Sequence, residues 1–121
     1  MRLDWECARA ILTALEELPT SEATLHPGAL RTWDEETVSH HMQLFGEAGL
    51  IQIRDRTRPG EPIFCVATDL KWEGHKLLDC MRGETAWNGV RRLAHELGLP
   101  LTLDVIKVVW IRYLGQIVKG G

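Results

Sequence analysis

Nowhere in this 121-residue chain is there an apolar run long enough, and free enough of charge, to span a bilayer. The most apolar stretch, 97–118, is interrupted by Asp104, Lys107 and Arg112, which argues against a membrane segment. The first apolar run is broken by Asp4, Glu6 and Arg9, so no signal peptide is expected. Cysteine is scarce: Cys7, Cys65 and Cys80 are odd in number, sit at apolar or semi-apolar positions, and read as reduced, buried thiols of a cytoplasmic protein. Also missing are a Ser/His/Asp set, a glycine-rich phosphate loop and a carboxylate pair with a clear partner. No catalytic residue, cofactor or metal is expected, and enzyme is the least favoured class.

What is present is one chain of domain size with the hydrophobic and charged fractions of a globular protein. Its charge is uneven. Residues 1–50 hold nine acids against three bases, 51–62 hold three Arg against two acids, and 63–121 hold eight bases against six acids. A nucleic-acid binder needs a basic patch, which only the segment from 51 onward could supply.

The stretch 33–70 reads as a helix feeding a hairpin. Asp34 can cap a helix with Val38, Met42, Phe45 and Ala48 on one face and Gly49 as its stop; Thr32 with Glu35 is a competing start. Strands follow at 50–56 and 63–70, joined by Arg58-Pro59-Gly60-Glu61, in which Gly60 suits the positive φ of a type II turn. Alternation turns Ile51 and Ile53 one way and Gln52, Arg54, Arg56 and Arg58 the other. The return strand, apolar on both faces until Thr68, belongs between the first strand and the helical core.

Before this stretch, Asp4 caps a helix with Trp5, Ala8, Leu12 and Leu15 on one face, ended by Pro19. Residues 21–31, broken by Pro27-Gly28, make a loop or a degenerate helical turn. After it, 71–81 predicts a helix with Trp72, Leu78 and Met81 inward, and Gly83 breaks it. A fourth helix, 85–97, turns Trp87, Val90, Ala94 and Leu97 inward and Arg91, Arg92 and His95 outward. Gly98 and Pro100 precede a last helix over 102–118, apolar almost all round: Leu103, Val105, Ile106, Val108, Val109, Trp110, Ile111, Leu114, Ile117 and Val118. A surface helix should bury one stripe and wet the rest. This one is read as a homodimerisation helix, with Ile106, Val109, Trp110, Tyr113, Leu114 and Ile117 at the interface; a purely intramolecular core helix is the other reading.

Four strings carry a resemblance: Asp4-Trp5, Asp34-Glu35-Glu36-Thr37-Val38-Ser39-His40-His41, Glu47-Ala48-Gly49-Leu50-Ile51, and Leu70-Lys71-Trp72-Glu73-Gly74-His75. Together they resemble a family of small bacterial, phage and prophage proteins catalogued as domain of unknown function 2513. The resemblance spans nearly the whole chain and implies a winged helix and a home on mobile elements, with no established activity. Lys71 departs from it, standing where a Thr would cap the following helix. The expected architecture is α+β: a winged-helix core over 1–82, meaning helix-turn-helix plus β-hairpin wing, and a helical extension over 83–121.

Chemistry-bearing residues have bland readings beside sharp ones. Neighbouring helical residues point about 100° apart, so His40-His41 cannot ligate one metal. His41 reads as a hydrogen-bonded packing residue and His40 as solvent-facing. Cys65, His75 and Cys80 lack paired-ligand spacing. Arg54, Arg56 and Arg58 are candidate nucleic-acid contacts, or else charges that protect an edge strand. The outer face of the Asp34 helix, with Glu36, Ser39, His40, Gln43 and Glu47, repels phosphate and would suit a basic protein groove. Two functions stay open. The first, and the one the sequence reading favours, is a dimeric phage-type regulator touching DNA through its wing with weak sequence selectivity. The other is a module that binds a host or phage protein, such as an inhibitor of a defence complex or an antitoxin.

Overall fold

The computed structural model describes residues 3–120, with side chains as far as Ile117. It is an α+β protein of two compact units, divided between Leu78 and Asp79.

In the first unit, α1 (Trp5–Glu16) starts at Asp4 because Asp4 Oδ1 accepts the N–H groups of Glu6 and Cys7, at 2.9 and 3.3 Å. Cys7, Ala8, Ile11, Leu12 and Leu15 recur at helical spacing and are buried. In the loop that follows, a single 3-10 turn, Pro27–Ala29, is capped by His26, whose Nδ1 accepts the Gly28 N–H at 3.0 Å. α2 (Glu35–Glu47) begins at Asp34, whose Oδ1 accepts the Thr37 N–H at 2.7 Å; this decides between the two starts the sequence allows. It ends where Gly49 takes φ 77°, while the Leu50 N–H reaches the Phe45 carbonyl at 2.9 Å.

β1 (Ile51–Asp55) and β2 (Cys65–Leu70) pair antiparallel, with a bulge between Gln52 and Ile53. On the other edge of β2, Leu25 exchanges both backbone hydrogen bonds with Ala67, at 2.7 and 3.1 Å. β2 is therefore paired along both edges, with Cys65 and Ala67 buried and Val66 and Thr68 half-buried. Ser39, expected on the outer face of α2, is instead fully buried, because its hydroxyl accepts the Cys65 N–H at 3.0 Å and ties α2 to this strand. α3 (Trp72–Met81) packs its first turn on the Leu50 carbonyl, where any Cβ at Gly74 would collide with backbone.

Trp72 corrects the inward helix face expected at this point. It is 73 % exposed, whereas Leu77, Leu78 and Met81 are buried. The reason is helical phase. Gly74, Leu78 and Met81 follow the i, i+4, i+7 rule, and Trp72 lies about 160° round from Gly74.

In the second unit, α4 (Glu84–Glu96) buries Trp87, Val90, Leu93 and Ala94. Leu97 is its C-cap and is 40 % exposed, not inward, because Gly98 turns the chain with φ 69°. α5 (Leu103–Gly120) returns along α4, with Ile106 and Val109 buried and the Tyr113 ring against Gly89. The side chain of Val118 lies outside the described residues. No helix is long and apolar enough to cross a membrane among the described residues.

Asp4 and His41 connect the elements of the first unit. The Asp4 N–H donates to His41 Nε2 at 2.9 Å, and His41 Nδ1 lies 2.8 Å from the Thr37 carbonyl. A backbone N–H can only donate and a carbonyl can only accept, which assigns the ring hydrogen to Nδ1. Asp4 Oδ2 accepts the Trp33 indole N–H at 2.9 Å. Burial pulls the Asp4 carboxyl upward. The bonds from Trp33, Cys7 and Glu6 outweigh it and hold the group below its ordinary value of 3.8.

Asp4→Ala should cost about 2–3 kcal/mol in urea unfolding, from a lost cap and an orphaned indole N–H. Because the folded carboxyl sits below its unfolded value, its contribution is present above about pH 4 and is lost as pH falls from there through the lower, folded value. Asp4→Asn should flatten this acid limb of the stability curve.

Candidate partner-binding cleft

The hairpin continues beyond its ladder by side-chain bonding. The Arg56 N–H donates to the Phe64 carbonyl at 2.8 Å, and the Phe64 N–H donates to Thr57 Oγ1 at 3.0 Å. Asp55 Oδ1 accepts the Thr57 N–H at 2.9 Å, and the side-chain and backbone bonds of Thr57 hold the Asp55 carboxyl below its ordinary range. At the tip, the Glu61 N–H closes on the Arg58 carbonyl at 3.0 Å and Gly60 takes φ 77°, the type II turn that Pro59-Gly60 predicts.

This tip stands beside the first turn of α2, and a cleft of about 430 Å³ lies between them. α2 contributes Glu35 and Glu36. The hairpin contributes Arg56, Arg58 and Glu61, together with Pro62, Ile63 and Phe64. Phe64 is propped by His26, whose ring meets it edge-on at a centroid distance of 5.1 Å. Ile63 and Phe64 are half-buried and supply apolar surface, while the five charged side chains are exposed.

Among the described residues, Glu35, Glu61, Arg56 and Arg58 make no ion pair, and Glu36 reaches only His40, at 3.9 Å. The cleft thus offers carboxylates, guanidiniums and an aromatic edge at once. A polypeptide carries partners for all three; a polyanion would meet three carboxylates.

Of the arginine stripe, Arg56 and Arg58 line the cleft and Arg54 does not; Arg54 lies on β1, exposed and paired in register with Val66. Of the acidic helix face, Glu36 lines the cleft, His40 is half-buried beside it, Gln43 is half-buried, and Glu47 is exposed at the far end of α2. Glu61 and Phe64 were not singled out by sequence reasoning. The signal for Glu61 was its place as the last residue of the Arg58–Glu61 turn; Phe64 carried none, since its apolar character fitted a strand equally well.

The chain matches a family model described as a hypothetical protein, domain of unknown function 2513, over residues 2–100. It belongs to that family. The matched residues stop before α5. An uncharacterized protein of Haemophilus influenzae is 38 % identical over 109 residues, covering 90 % of this chain and 92 % of the relative. No solved structure matches.

Elsewhere, no group of three or more His, Cys, Asp or Glu among the described residues is arranged to hold a metal ion. His75 is exposed, whereas Cys65 and Cys80 are buried. Burial, aided by nearby carboxylates, pushes the thiols up, Cys7 and Cys80 to about 12 and Cys65 to about 11. All three should therefore resist a thiol reagent at pH 8 in the native state and react at the unfolding rate. A fast native phase would contradict their burial.

Proposed function

We propose that this protein is a winged-helix member of its family that works by holding another protein in the cleft between α2 and the hairpin tip. In this reading α1 is the first helix, Leu25 is a one-residue first strand, and the 3-10 turn Pro27–Ala29 replaces the middle helix. α2 takes the recognition position and β1 with β2 forms the wing. The observation that carries the functional half is the charge of the cleft. Glu35, Glu36 and Glu61 share one 430 Å³ space with Arg56 and Arg58, so a phosphate drawn to either arginine meets carboxylates beside it. A segment bearing both Lys or Arg and Asp or Glu, with an apolar residue for Phe64, matches the site better than a duplex does.

Arg54, Arg56 and Arg58 favour the second reading, weakly selective DNA contact through the wing. All three are exposed, and none is in an ion pair among the described residues.

Binding to random-sequence duplex DNA at low and moderate salt separates the two, beside capture from host lysate. A partner-holding cleft predicts no salt-sensitive DNA binding, and one captured protein lost on the double change Glu36→Lys and Glu61→Lys. Micromolar DNA binding whose salt slope falls when Arg54, Arg56 and Arg58 become Ala would overturn it in favour of the regulator.

A further inference from the structure

α5 has two apolar faces, and only one is used within its unit. Ile106 and Val109 are fully buried, so these two cannot serve the interface the sequence suggests for them. Trp110 and Tyr113 are half-buried and stacked on each other at 5.9 Å. The open face is a different set. Asp104, Val108, Ile111 and Gly115 follow one another at intervals of four, three and four residues, the spacing of a seam between paired helices. Val108 is 64 % exposed, Ile111 70 %, and Leu114 flanks them at 40 %.

Gly115 also lies on this face. A glycine inside a helix is costly unless close approach requires it. A Cβ at Gly46, Gly74 or Gly89 would press on Ile53, the Leu50 carbonyl or Tyr113 respectively. A Cβ at Gly115 would meet nothing within 4 Å. Nothing among the described residues accounts for this glycine, whereas the backbone of another helix lying on the seam would.

We propose that a second copy of the chain packs on this seam, α5 against α5, antiparallel about a two-fold axis. The charges select that orientation. Asp104 opens the seam and Arg112 borders its far end, so antiparallel helices bring unlike charges alongside. Parallel helices would set Asp104 against Asp104 and N-terminus against N-terminus. In the antiparallel register Val108 meets Ile111 of the second copy, and Asp104 meets Gly115.

The size of the seam sets the strength. From Asp104 to Gly115 it runs about 16 Å at 1.5 Å per residue. A specific interface needs roughly 1,000 Å² in total. Val108, Ile111 and Leu114 from each copy, with the stems of Lys107 and Arg112 beside them, make a small seam by that measure. The dimer is therefore in reversible exchange with monomer.

Sedimentation equilibrium of the full chain over a concentration series tests this, with 13.7 kDa as the monomer mass. The mass should approach twice that value at high concentration and fall on dilution. Ile111→Glu should raise the dissociation constant by about tenfold or more, with the far-ultraviolet circular dichroism unchanged. Gly115→Glu, which faces Asp104 of the second copy, should weaken pairing more than Gly115→Lys does. A chain that is monomeric throughout overturns the proposal, as does a dimer indifferent to Ile111→Glu. Equal effects of Glu and Lys at position 115 overturn the antiparallel orientation. The seam and the cleft lie in different units, so either can fail without the other.

Discussion

The first unit depends on one side chain and its own backbone N–H. Asp4 caps α1 with one carboxylate oxygen, receives the Trp33 indole with the other, and gives its N–H to His41 in α2. These bonds fix the start of α1, the loop that enters α2, and the middle of α2 relative to one another. A carboxylate with satisfied acceptors tolerates partial burial that an unbonded one would not. His41 completes the arrangement because it sits fully buried with both ring nitrogens engaged, one by each helix. Replacing it with an apolar residue of similar size would leave the Asp4 N–H without its acceptor.

The position of the cleft follows from this anchor and from Ser39. His41 ties α2 to α1, and Ser39, two residues earlier, ties it to Cys65 at the start of β2. The first turn of α2 is thus held from both sides at the end of the hairpin where the ladder stops. Glu35 and Glu36 have two effects there. They favour the helix N-terminus, each by about 0.3–1 kcal/mol where exposed, and they set the charge of the cleft. Helix stability and cleft charge therefore change together on substitution, and Glu61, which has no helix to support, isolates the second effect.

Much of this was legible because local rules and tertiary demands agree. Asp4 and Asp34 as caps, Gly49 as a stop and Pro59-Gly60 as a turn each need only their immediate neighbours. His41 as a buried, bonded residue was readable from its place beside the apolar stripe of α2. What escaped depended on partners distant in sequence. The lone bridge at Leu25 has no strand pattern around it, because one residue cannot alternate. Trp72 was assigned inward on hydrophobicity, yet Gly74, the residue that approaches Leu50 most closely, sets the phase of α3. The cleft joins residues 35–36 to residues 56–64, and alternation alone had aligned Arg54 with Arg56 and Arg58. Once the ladder ends at Asp55 and Thr57 takes over the bonding, strand alternation no longer says where a side chain goes.

If α5 pairs two copies and the cleft holds a partner, the two are coupled through affinity. Exposed charge pairs contribute about 0–1 kcal/mol each, so a cleft whose five charges are all solvent-accessible grips one segment weakly. Salt at about 0.15 M screens such contacts further, with a Debye length near 8 Å. A dimer presents two clefts. A partner carrying two matching segments would bind the second at an effective concentration set by the linkage, a gain of roughly 10²–10⁴ when both can be engaged. An interface at the small end of the stable range then acts as a regulator of binding, because dilution to monomer removes that gain before it changes either cleft. A single-segment partner would be indifferent to the state of α5. The concentration dependence of partner binding therefore distinguishes a protein that uses its cleft singly from one that uses two in concert.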